Sequence, residues 1–185
     1  MFLHRRGRLD DRRKRSSCDH RDLSTPPLTP LAVAALCVPR SPERVLVIGC
    51  GNGEPAIFLA REFPRARVRG VDPSEALIRE ASARVGLDPE GRIAFKAGRA
   101  ASLPYPDEFF DLVALVDERP EMREVARVLS PGGYLILART SRPGGPFAEA
   151  PVRVRRRLAR RGLEQVEVGE AGEGDFFIAR RCGRG

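Results

Sequence analysis

The nine residues V-L-V-I-G-C-G-N-G (45–53) constrain this chain more than any other stretch: a β-branched apolar run leads into three alternating glycines, and a helical pattern opens at Glu54. A strand turning into a helix through glycines lets the main chain approach a ligand closely, because glycine has no Cβ and accepts positive φ. The spacing narrows the ligand class. A dinucleotide fingerprint G-x-G-x-x-G needs glycine at position 54, where Glu54 would instead turn a carboxylate toward the pyrophosphate. G-x-G-x-G suits a ligand without phosphates. Asp72 ends the next apolar run, near the roughly 20-residue offset at which an acidic residue reaches ribose hydroxyls in doubly wound folds. It also precedes Pro73 and Ser74, where it is placed to cap a helix.

From Arg44 onward, β-branched runs alternate with helical patterns, the signature of βαβ units and a parallel sheet. Strands are predicted over 45–48, 67–71, 92–96, 112–116 and 134–138, with helices over 54–62, 74–85 and 121–129. The last third adds a helix over about 151–161, then strands over 164–168 and 175–180 joined by the turn-rich 169–174. A short helix beside the sheet is predicted from the start signal Thr25, Pro26, Pro27 and the spacing of Leu31, Ala34, Ala35 and Val38, stopped by Pro39 and Pro42. With 185 residues, 42% of them hydrophobic, the chain is long enough for one sizeable α/β core. The expected organisation is a basic, disordered arm over 1–24 and one domain over 25–185, because the arm lacks apolar periodicity and cannot offset the entropy of ordering.

The net charge is +8, nearly all of the basic residues being arginine, and the excess concentrates in the arm and in 153–161. In 153–161 the spacing of Val154, Leu158 and Arg161 fits an amphipathic helix with solvated faces, and no interleaved aromatics support base stacking. Nucleic acid is therefore a possible partner that the pattern does not favour. Cys18, Cys37, Cys50 and Cys182 form no C-x-x-C pair and no metal-ligand spacing with His4 or His20, so they read as unpaired thiols of a reducing compartment with no metal site. No apolar run approaches the roughly 20 residues of a membrane span. The apolar run 31–38 also lies too late, ahead of Pro39 and Arg40, to be a signal peptide. The expectation is a cytoplasmic protein.

Several segments together resemble the class I S-adenosylmethionine-dependent methyltransferases, particularly small bacterial members, from about residue 25 to 180. V-L-V-I-G-C-G-N-G resembles the family's first motif and G-V-D-P-S (70–74) its second. L-P-Y-P-D-E-F-F-D-L-V (103–113) resembles the approach to the fourth strand, and E-V-A-R-V-L-S-P-G-G-Y-L (124–135) the helix, turn and strand that follow. G-L-E-Q-V-E-V with D-F-F-I-A-R-R is similar to the closing antiparallel hairpin. The resemblance implies a Rossmann-like, doubly wound, seven-stranded, mostly parallel sheet. It also implies S-adenosylmethionine as cofactor and a methyl acceptor that is a small molecule. Carried onto this sequence, the cofactor site comprises Gly49, Cys50, Gly51, Asn52, Gly53, Asp72, Pro73, Arg99, Ala100 and Val116.

Three positions depart from the family pattern. Val47 stands where an acidic residue often anchors the cofactor's ammonium group. Gly98-Arg99-Ala100 replaces G-D-A, losing a charged acceptor for the adenine amino group, at roughly 1.5–3 kcal/mol. Val116 runs directly into Asp117, Glu118, Arg119 and Pro120, without the usual longer acceptor-side stretch. Methyl transfer from a sulfonium is an in-line displacement in which the cofactor carries the activated group, so the protein must mainly position donor and nucleophile. If a base assists, Asp117 or Glu118 is the candidate. Both also fit an N-terminal charge pair for the helix near Glu121. Cys50, with no histidine nearby, reads as a packing residue whose N–H matters. Two other readings stay open: a non-catalytic binding module that keeps the fold, and an RNA-directed methyltransferase using the arm and the arginine-rich helix.

Overall fold

Strand β1 (Arg44–Ile48) is buried on both faces, which places it in the middle of the sheet. Val45 and Val47 enter one core cluster while Leu46 and Ile48 enter another, as the two-residue period of a strand requires. Burying such side chains stabilises by about 1.5–3 kcal/mol each, so β1 alone anchors both layers. The computed structural model describes residues 28–86, 88, 90–141 and 151–183. The expected arm and the start signal at 25–27 lie outside these.

The remaining elements are α1 (Thr29–Leu36), α2 (Glu54–Glu62), β2 (Arg67–Asp72), α3 (Glu75–Val85), β3 (Ile93–Ala97), β4 (Phe110–Val116), α4 (Met122–Val128), β5 (Leu129–Arg139), α5 (Pro151–Ala159), β6 (Leu163–Ala171) and β7 (Gly174–Arg181). The seven strands lie in the order β3-β2-β1-β4-β5-β7-β6. Pairing is parallel from β3 to β5, and β7 joins β5 and β6 antiparallel. This is the doubly wound, mostly parallel sheet with a closing hairpin. The chain order reverses between β1 and β4, so the carboxyl ends of these strands open the crevice at which such sheets bind ligands.

Leu31 and Ala34 of α1 and Ala56 and Leu59 of α2 cover the face of Val45 and Val47. Val125 and Val128 of α4 and Leu158 of α5 cover the other. Between β3 and β4 no helix forms among the described residues; the irregular run 98–109 lays Leu103, Tyr105 and Phe109 over the second cluster instead. Arg127 of α4 fixes that run. Its guanidinium donates to the carbonyls of Leu103 (3.0 Å) and Tyr105 (2.8 Å) and to Asp107 (2.8 Å), and it is paired with Glu124, which in turn accepts from the Leu103 N–H (2.9 Å).

Three boundaries differ from the sequence expectation. The S-P-G-G stretch expected to separate α4 from a strand at 134 lies inside β5: Leu129 pairs with Phe110 and Tyr134 with Leu112, so 130–133 form a bulge in the register. In the hairpin the strands extend until Ala171 pairs with Gly174, leaving a tight turn at Gly172 and Glu173. Helix α5 ends at Ala159, so Arg161 is exposed and does not share the buried face of Leu158. No helix among the described residues is long and apolar enough to cross a membrane.

Candidate cofactor site at the β1–β4 switch point

Where β1 ends, Gly49, Gly51 and Gly53 hold φ of +68°, +53° and +87°, a left-handed backbone that costs any other L-residue about 1–2 kcal/mol. The turn is tied to β2: the N–H groups of Gly49 and Cys50 both donate to the carbonyl of Val71, at 2.8 and 3.1 Å. It closes on itself through Gly53 N–H to the Cys50 carbonyl at 2.9 Å, and α2 starts at the next residue. A Cβ built on Gly51 would meet nothing within 4 Å. The turn thus presents bare main chain to an open space, the cradle a ligand's polar end needs. Half-buried Asn52 lies on the same turn and accepts from Glu54 N–H at 3.4 Å.

Cys50 faces the other way. It is 1% exposed, and its thiol is pushed up to about 12, chiefly by burial and secondarily by the charge of Asp72. It stays protonated at neutral pH and packs toward Gly70, where a Cβ would lie 2.8 Å from its sulfur.

Asp72 is 6% exposed, and each of its carboxylate oxygens accepts one main-chain N–H: Gly51 to Oδ2 (3.0 Å) and Ser74 to Oδ1 (2.8 Å). Ser74, not Asp72, is the N-cap of α3 through its own hydroxyl. An ionised carboxylate offers about four acceptor positions, so two remain for hydroxyl donors. Asp72 therefore links the glycine turn to α3 and keeps acceptor capacity beside the open space.

At the end of β4, Val116 is 9% exposed. Asp117 takes a left-handed φ of +54° and turns its carboxylate onto Thr140, accepting from the N–H (2.9 Å) and the hydroxyl (2.6 Å). It ties the ends of β4 and β5 together. Helix α4 begins at Met122 with no side-chain cap from Glu121, and the carboxylate of Asp117 is spent on Thr140 rather than on that helix. Glu118 is exposed, yet its side chain lies on the turn: a Cβ at Gly49 would overlap its Cγ. After β3, Gly98 N–H donates to the Asp72 carbonyl (3.0 Å). Arg99 is exposed and bridged to Ser102, Ala100 is half-buried against the second core cluster, and Pro73 is exposed.

The structure adds a support the sequence reading did not identify. Phe95 of β3 stands directly across from Gly70 of β2. Its ring fills the space a side chain at 70 would take and runs beneath Gly53, where a Cβ would meet Phe95 Cζ and Ala81 Cβ, each at 2.8 Å. The signal was a glycine inside a strand opposite an aromatic, which becomes visible only once the β2–β3 register is known.

Known proteins share this architecture. Residues 45–133 match a family model described as "Methyltransferase domain". A 27-O-demethylrifamycin SV methyltransferase of Amycolatopsis mediterranei is 41% identical over 106 residues, covering 53% of this chain and 39% of its own. A demethylmenaquinone methyltransferase of Deinococcus radiodurans is 35% identical over 113 residues, covering 57% of this chain and 46% of its own. The chain thus spans under half the length of these relatives. Among solved structures, a SAM-dependent methyltransferase from Aquifex aeolicus superposes with a TM-score of 0.63 at 22% identity, over 75% of this chain and 82% of that one.

Proposed function

We propose that this chain, whose residues 45–133 match a methyltransferase-domain family model, is an S-adenosylmethionine-dependent methyltransferase acting on a small molecule. The observation that carries this reading is the glycine turn at the switch point, with its open face at Gly51 and the acceptor capacity of Asp72 beside it. When bound, S-adenosylmethionine supplies a methyl group already activated on a sulfonium sulfur.

The chain's own residues then have positioning work. Gly49, Cys50, Gly51, Asn52 and Gly53 bring main chain against the amino-acid portion of the cofactor. Asp72 receives the vicinal ribose hydroxyls on its two unfilled acceptor positions, with Pro73 alongside. Ala100 and Val116 line the neighbouring walls, and exposed Arg99 leaves adenine recognition to main-chain groups. Asp117 holds the ends of β4 and β5 in register, so it shapes the site without touching the reacting atoms. Positioning of this kind can supply much of a displacement barrier, on the order of 7–11 kcal/mol.

The small-molecule acceptor draws support from the two relatives, whose names describe methylation of a rifamycin and of demethylmenaquinone. The described cysteines, Cys37, Cys50 and Cys182, are all unpaired, which favours a reducing, cytoplasmic setting. The test is incubation with methyl-labelled S-adenosylmethionine and a panel of phenols, quinols and macrocyclic alcohols. Acceptor-dependent release of S-adenosylhomocysteine is expected. Cofactor binding with no turnover on any acceptor would contradict it and leave a binding module.

A further inference from the structure

Three carboxylates stand at the carboxyl ends of β2 and β4, and two are committed. Asp72 accepts from the main chain of Gly51 and Ser74, and Asp117 accepts from Thr140. Glu118 makes no hydrogen bond or ion pair with a described residue, and its exposed side chain passes over the turn. A Cβ on Gly49 would overlap Glu118 Cγ and lie 3.1 Å from Oε1. Gly49 is thus bare for a second reason besides its φ: the space above it belongs to Glu118.

An exposed carboxylate at the rim of that open space, with no cation of its own among the described residues, is available to pair with a cationic group on a ligand. β1 supplies no competing acid, because its residues leading into the turn, Val45, Leu46, Val47 and Ile48, are all apolar and buried. The cofactor inferred for this site carries a cationic group at its amino-acid end, the α-ammonium, which is protonated at neutral pH. We propose that Glu118 is the carboxylate that receives this ammonium group, reaching it from the end of β4 across the face of Gly49. This rests on the reading of the turn as the S-adenosylmethionine site. It also gives Glu118 a role separate from proton transfer: the group holds the cofactor and does not act on the acceptor.

Calorimetric titration of the full chain with S-adenosylhomocysteine and with its deaminated analogue tests this, in the wild type and in Glu118→Gln. Wild type is expected to prefer the amine-bearing ligand at least tenfold. In Glu118→Gln that preference should fall below threefold, while the deaminated analogue binds both proteins equally. Glu118→Asp, which keeps the charge on a shorter stem, should recover part of it. A preference undiminished in Glu118→Gln, or affinity for both ligands lowered in parallel, would overturn the proposal as a purely structural effect. So would a wild type that does not discriminate. If wild type binds neither ligand, the cofactor reading itself fails along with it, an outcome distinct from the others.

Discussion

At the scale of single residues the turn separates what folding needs from what binding needs. Gly51 has φ of +53° and nothing near its Cβ position, so Gly51→Ala should fold, losing about 1–2 kcal/mol to the strained backbone. In a domain of this size that lowers Tm by roughly 2–8 °C. The added methyl would enter the cradle, and S-adenosylhomocysteine affinity should fall by more than tenfold, as read by titration. Unchanged affinity would place the ligand elsewhere. Asp72 makes a poorer control, since its removal would free two main-chain donors and loosen the turn itself. Asp117, which the sequence offers as a base, serves Thr140. That pairing joins residues far apart in the chain, and nothing local in D-E-R-P announces it.

At the scale of elements, the ion pair of α4 organises the whole approach to β4. Arg127 and the Leu103 N–H hold the Glu124 carboxyl below the usual carboxylate range, the Arg127 hydrogen bond being the largest cause, and Glu124 is only 13% exposed. A depressed folded-state pKa contributes stability that is fully present above the unfolded value, about 4.3, and is lost as pH falls through the lower folded value. Glu124→Gln should therefore cost roughly 1.5–3 kcal/mol at pH 7 and progressively less in acid, so that the two unfolding curves converge once pH has fallen below the depressed folded value. Parallel curves would remove the carboxylate from this role. Element by element, the strands and helices were legible because each carries its own period within a few residues of sequence. The inner boundaries were not. The bulge at 130–133 follows from how β5 must meet β4, and the irregular 98–109 run depends on Arg127 some twenty residues on. The candidate site divides in the same way. Its turn and Asp72 are short-range patterns, whereas Phe95 under Gly70 and Glu118 over Gly49 are products of strand register.

At the scale of the molecule, two apolar layers sandwich one sheet, and the reversal of strand order leaves a crevice edge where β1 and β4 end. The glycine turn, Asp72, Val116 and Glu118, all proposed to hold the cofactor, gather there. The arginine-rich α5 lies on the layer packed over the second cluster, with Arg155, Arg156 and Arg157 exposed and Leu158 buried, as an ordinary solvated helix does. The most direct test of the cofactor assignment is calorimetric titration of S-adenosylhomocysteine into the purified full chain. Micromolar, one-to-one binding that Gly51→Ala weakens is the expected result. No heat of binding from a protein that melts cooperatively would contradict it, leaving a methyltransferase fold whose crevice serves another ligand.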